Sequence, residues 1–290
     1  MHPAPSIIAF TTFSGLGFGL LFWLGIDAIP PTGGTAFVFF LIAYLLAVGG
    51  LMASAFHLGR KERALKAFSQ WRTSWLSREA WLALAALGLS GLYALFLVFF
   101  DIHIAPLGWL AAILCLATVF ATSMIYAQLK TVPRWHHWTT PLLFLLLSLS
   151  GGALLSGRVS ITAAGLVLSG LVQMYIWYDG DKRFAQSGTT LATATGLGPI
   201  GTARAFEPPH TGNNYLLREM VFVVGRKHAA KLRVIALALM SVLPILCLAL
   251  PFNHILAALA VLSHVAGVLT ARWLFFAEAE HVVGLYYGKR

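Results

Sequence analysis

Long apolar stretches alternate with short polar ones along this chain, and the apolar stretches are unbroken inside. Runs such as "GTAFVFFLIAYLLAVGGLMASAF", "AWLALAALGLSGLYALFLVFF" and "LLFLLLSLS" lack the apolar–polar alternation of a membrane β-strand. At roughly 20 residues each, they have the length an α-helix needs to cross about 30 Å of hydrocarbon. Eight such runs are expected: Ser6 to Ile29, Thr35 to Phe56, Glu79 to Phe100, Ala105 to Tyr126, Trp138 to Leu155, Ser160 to Trp177, Leu232 to Leu250 and Ile255 to Phe276. The pattern predicts an all-α integral membrane protein, eight transmembrane helices in a bundle, and argues against a β-barrel.

Composition strengthens this. Apolar residues make up 59% of the chain and charged ones 10%, with a mean hydropathy of +0.80. Residues 1–290 are expected to form one transmembrane domain, with an interfacial segment at 57–78 and a long loop at 179–231. The first span is read as retained, because "MHPAPSII" has no basic n-region. Cys115 and Cys247 both fall within spans, at no spacing that suits a metal or cluster, and are read as core packing residues.

Charge orients the bundle. The formal net charge is +10. Its sources lie between the second and third spans (Arg60, Lys61, Arg63, Lys66, Arg72, Arg78) and between the sixth and seventh (Lys182 to Lys231). Only Arg158 falls among the turns of the opposite face, "PPTGG", "DIHI", "SGRV" and "PFNH". By the positive-inside rule the basic face is cytoplasmic, and both termini with it. A basic face of this kind on a membrane protein points to anionic lipid or a soluble protein partner, and not to nucleic acid. Within the long loop, "PPHTGNNYLLREMVFVVGRKHAAKLR" reads as a turn and a helix, with Thr211 or Asn213 as cap and Leu216, Met220 and Val223 as an apolar stripe. No residue pattern recurs between the two halves.

The segment "HLGRKERALKAFSQWRTSWLSRE", His57 to Glu79, is the most informative. On a helix, Ala64, Phe68, Trp71 and Trp75 share one stripe while the basic residues fall mostly elsewhere, which predicts an amphipathic helix in the headgroup layer. That account leaves the pair at its ends unexplained. His57 closes the second span and Glu79 opens the third. Glu79 also has the plainer use of complementing a helix dipole, but Ser77 as cap does not make a capping box with it. A histidine and a partly desolvated carboxylate beside the lipid make a proton-exchanging pair. A lipid-dissolved quinone needs one, since it moves two protons with two electrons while its ring enters from the bilayer. Trp71 and Trp75 would line the ring pocket, and Arg72 or Arg78 would hold a ring oxygen.

Other readings compete. A b-type haem anchor needs two histidines opposed at membrane depth, yet His264 alone lies well inside a span, where it also reads as a core histidine bonded to a helix carbonyl. A secondary transporter needs paired ionisable groups near midplane, whereas the spans hold His264, Gln173 and Arg272 and almost no carboxylates, Asp27 lying near an end. Glu278, Glu280 and His281, just past the last span, serve either helix-end solvation or a proton path or docking contact. Tyr286 and Tyr287 read as interface anchors.

Three segments, "SAFHLGRKERALKAFSQWRTSWLSREA", "EPPHTGNNYLLREMVFVVGRKHA" and "FFAEAEHVVGLYYG", together with the opening "HPAPSIIAFTTFSGLGFGLL", resemble the membrane-anchor subunit of the dimethyl sulfoxide reductase family, which includes the anchor of membrane-bound sulfite dehydrogenase. The resemblance covers nearly the whole chain. It implies an anchor in the bacterial inner membrane without haem or cluster of its own. Its partners would be a four-cluster iron–sulfur electron-transfer subunit and a molybdopterin catalytic subunit, and its bound substrate menaquinone or ubiquinone. It further implies a quinone site at His57 and Glu79, while Trp71, Arg72, Ser77 and Arg78 fall in the matching motif without an assigned role. The basic loops, with Arg218, Arg226, Lys227 and Lys231, would dock the cluster subunit. "HPAPSII" and the basic face lean toward the sulfite-oxidising type.

Overall fold

The computed structural model describes residues 1–56, 61–207, 209, 210, 212, 214–221 and 224–288, and its regular elements are helical throughout. The spans are α1 (Pro5–Gly25), α2 (Gly33–Ala55), α3 (Trp75–Phe99), α4 (Ala105–Ala127), the shorter α5 (Thr139–Leu155), α6 (Val159–Gln186), a composite of α8 (Ala229–Leu237) and α9 (Leu243–Ala249), and α10 (His254–Ala277); α7 (Leu191–Thr195) lies in the long loop. The chain is a multi-pass membrane protein, and the expected runs match these helices. The largest difference is α6, which continues through "YDGDKRFAQ" beyond the predicted end.

α1 is the central post, packed against α2, α4 and α5. Lipid offers no hydrophobic drive to helix association, so close backbone approach has to supply van der Waals energy. At Gly17 an added Cβ would stand 2.3 Å from the Ala47 backbone nitrogen, and at Gly19 it would stand within the Ser148 carbonyl of α5. Trp23 donates to the Leu149 carbonyl at 2.8 Å. At the face opposite the basic loops, Arg158 pairs with Asp27 at 2.6 Å and lies over the Trp23 ring. That placement accounts for the one basic residue expected there.

The seventh span is broken by a π-helical turn, Ala238–Val242, ahead of Pro244. Proline has no N–H to give the carbonyl four residues back, that of Met240. His264 Nδ1 donates to that carbonyl at 2.7 Å, and Ser263 donates to the Leu239 carbonyl at 2.8 Å. The core reading of His264 is therefore correct. Cys115 and Cys247 are buried free thiols, also as expected.

The segment after α2 differs from the expectation. It forms a 3₁₀-helix, Lys61–Phe68, followed by turns, and α3 starts at Trp75. Eight 3₁₀ residues cover ~16 Å against ~12 Å for an α-helix, so the tighter coil reaches farther along the bundle rim. Side chains of α3 take up its carbonyls. Ser77 donates to Ala67, Trp81 to Phe68 at 3.0 Å, and Arg78 to Trp71 and Arg72 at 3.0 and 2.7 Å. Ser77 is thus a tie within α3 and not its cap. Ala64 is exposed, and Trp71 and Trp75 do not share a helix with it.

Candidate functional site

Starting α3 at Trp75 places Glu79 one full turn inside the helix, on the same face as Ala83, Ala86 and Ser90. Glu79 is 4% exposed. The Thr122 hydroxyl of α4 donates to its Oε1 and is shared with the Thr118 carbonyl. Such a carboxyl is screened from bulk water and holds a defined orientation.

Next to it, on the outward side of α3, Phe68, Trp71, Trp75, Arg78, Trp81 and Leu82 line a groove of ≈580 Å³. Its walls are ordered by edge-on ring contacts, Phe68 with Trp81 at 5.2 Å and Trp75 with Phe120 at 5.9 Å. The Arg78 guanidinium lies 4.4 Å from the Trp75 ring centroid. Its Nε and Nη2 are given to the Trp71 and Arg72 carbonyls, so packing and bonding fix the charge at the groove wall.

The structure thus brings Trp71, Trp75 and Arg78 together at one groove. Arg72 lies over the Trp71 ring at 5.5 Å and is not among the lining residues. Glu79 lies one residue from Arg78 and one turn from Trp75 but turns inward to Thr122. His57 lies outside the described residues. Sequence reasoning missed Trp81, Leu82 and Thr122. The first two lie in an apolar run that reads as plain membrane span, although Trp75, Arg78 and Leu82 keep helical spacing. Thr122 reads as one more small residue of "FATSMIY".

At the basic face, Arg134, Asp181, Arg233 and Glu278 form a network. Arg233 forks onto Asp181 at 2.6 and 2.8 Å and reaches Glu278 at 2.7 Å, while Arg134 reaches Glu278 at 3.5 Å. Burial pushes the Glu278 carboxyl above its ordinary range, and the facing Arg134 and Arg233 pull it back. The network ties the α4–α5 loop, α6, α8 and α10 together. Arg226 pairs with Glu280 at 3.1 Å. Lys227 and Lys231 are exposed, as is Arg218 beside Glu219 at 3.4 Å. His281 caps the 3₁₀-helix Val282–Tyr287. Tyr286 and Tyr287 bond to Ala194 and Asn214, which joins the chain's end to the long loop. Asn214 accepts from the Leu217 N–H at 2.9 Å and so takes the capping role expected of Thr211 or Asn213, which lie outside the described residues with Val223.

The family model of the DMSO reductase anchor subunit (DmsC) matches residues 5–278. A sulfite dehydrogenase subunit from Allochromatium vinosum is 32% identical, over 99% of this chain and 99% of that protein. No solved structure matches. By both measures, a family match across nearly all of its length and a relative of equal extent, the chain belongs to the DMSO reductase anchor subunit family.

Proposed function

We propose that the chain is the quinone-reactive anchor of a three-subunit molybdopterin oxidoreductase and carries electrons between the membrane quinone pool and an iron–sulfur partner. The observation that carries this reading is an aromatic groove holding one fixed guanidinium, Arg78, with the buried Glu79 carboxyl next to that arginine in the chain and turned to the inner face of α3. A quinone ring is flat and apolar, with oxygens that gain protons on reduction. The Trp71, Trp75 and Trp81 rings supply flat apolar walls. Arg78 supplies charge to a ring oxygen, and Glu79, with His57, exchanges protons. Reduction of one quinone takes two electrons and two protons. In the sulfite direction the electrons come from sulfite and water, which yield sulfate, two protons and two electrons at the molybdenum subunit. The name of the similar protein favours sulfite as that substrate.

The basic face is read as cytoplasmic, in the bacterial inner membrane, with Arg218, Lys227 and Lys231 toward the cluster subunit and Arg226 held instead by Glu280. In the purified complex, Glu79→Gln and His57→Ala are expected to slow quinone exchange ~100-fold, the lower range for loss of a general acid or base. A soluble dye should still drive the catalytic subunits at the wild-type rate. Wild-type quinone turnover in both variants overturns the assignment.

A further inference from the structure

Arg272 poses a charge-balance problem. It lies in α10, 3% exposed, with its guanidinium carbon 3.5 Å from the Phe144 ring centroid. Its Nε and Nη1 meet no hydrogen-bond partner among the described residues. An arginine does not shed its charge by deprotonation, and an uncompensated charge inside a bundle is strongly disfavoured. Among the described residues, the buried carboxylates are Glu79 and Glu278. Glu278 is matched by Arg134 and Arg233. Glu79 is the charge that remains.

Arg272 and the Thr122 partner of Glu79 border one space. Arg272, Thr12, Thr122 and Ser148 line an internal chamber of ≈10 Å³ between α1, α4, α5 and α10. That is about the volume one water needs, and a water needs at least two polar partners. Thr12 Oγ1 is also unpartnered among the described residues. Thr122 belongs to both sites, since it lines the chamber and gives its hydroxyl to Glu79.

We propose that Arg272 and Glu79 form a charge-balanced pair across this chamber, joined by one water and the Thr122 hydroxyl, and that Arg272 acts through them to position the Glu79 carboxylate. The hydrogen bonds run in one direction. An Arg272 N–H donates to the water, the water to Thr122 Oγ1, and Thr122 to Glu79, which ends the chain as acceptor. Aligned donors polarise one another. The other groups near the pair are the Tyr126 phenol of α4 and the hydroxyl-bearing side chains of Thr11, Thr12, Ser14 and Ser148 from α1 and α5. The consequence for function rests on the reading of Glu79 as the quinone-site carboxylate; the pair itself does not.

The test uses the purified complex. In a melting cycle, Arg272→Met and Glu79→Gln are each expected to lower the midpoint, and the double variant to lose less than the two single losses summed. Additive losses overturn the pair. The carboxylate stretch in the infrared spectrum that disappears in Glu79→Gln is expected to shift in Arg272→Lys and in Thr122→Val, and an unmoved band overturns the water-and-hydroxyl link even where Arg272→Met fails to assemble. Quinone turnover is expected to fall ~10-fold in Arg272→Met and to recover in Arg272→Lys. A wild-type rate in Arg272→Met overturns the positioning role. If the cycle is non-additive while Glu79→Gln turns over quinone normally, the pair stands and the quinone reading falls.

Discussion

At the scale of single residues, Arg78 and Glu79 are neighbours in the chain with opposite fates. Helix geometry turns Arg78 outward to the groove and Glu79 inward to Thr122. Arg78 spends its planar fork on two carbonyls and its face on Trp75. A lysine keeps the charge but reproduces neither. Arg78→Lys is therefore expected to raise the KM for quinone roughly tenfold, in line with the loss of about 1.5 kcal/mol from one charge-assisted bond. Titration of turnover against quinone concentration checks this, and an unchanged KM would assign Arg78 to loop structure alone. Glu79 stood out in the sequence because a carboxylate at the mouth of an apolar run is costly and so conspicuous, and the structure buries it. Its partner was not, because Thr122 differs from its neighbours by one oxygen, and only burial gives that oxygen weight.

Among the elements, the spans were readable for a simple reason. Lipid leaves the backbone no outside partner, so long apolar runs must be helices. The interfacial segment had no such constraint. Four of its carbonyls are taken by α3 side chains, and nothing in a stripe of Ala64, Phe68, Trp71 and Trp75 says which ones Ser77, Arg78 and Trp81 will take. Likewise Pro244 announces a defect in the seventh span, but the repair sits on α10 at Ser263 and His264. His264→Leu strands the Met240 carbonyl in the core, at a cost of about 1–3 kcal/mol. The expected outcome is a lower melting temperature of the complex with quinone turnover retained. Lost turnover at an unchanged melting temperature would instead give His264 a part in the chemistry.

For the molecule as a whole, charge divides the two faces. Among the described residues, one carries the ion pair of Asp27 with Arg158, and the other carries the Arg134–Asp181–Arg233–Glu278 network and the exposed lysines. The network charges are consumed internally, as is Arg226 by Glu280, so the charges open to a partner are fewer than the sequence total suggests. Reversing Lys227 and Lys231 to glutamate is expected to reduce co-purification of the soluble subunits at least several-fold, and more so as salt is lowered. Unchanged recovery would assign these lysines to lipid. The opposite face has a groove of its own, ≈340 Å³, lined by Leu154, Cys247 and Phe252 among others. The proposed quinone ring lies in the other groove, at Trp71, Trp75 and Arg78. Labelling the intact complex with a photoreactive quinone and mapping the adduct tests this most directly. The adduct is expected within Phe68–Leu82, lost on competition with excess quinone and reduced in Glu79→Gln. An adduct confined to the residues around Cys247 and Phe252 would contradict it.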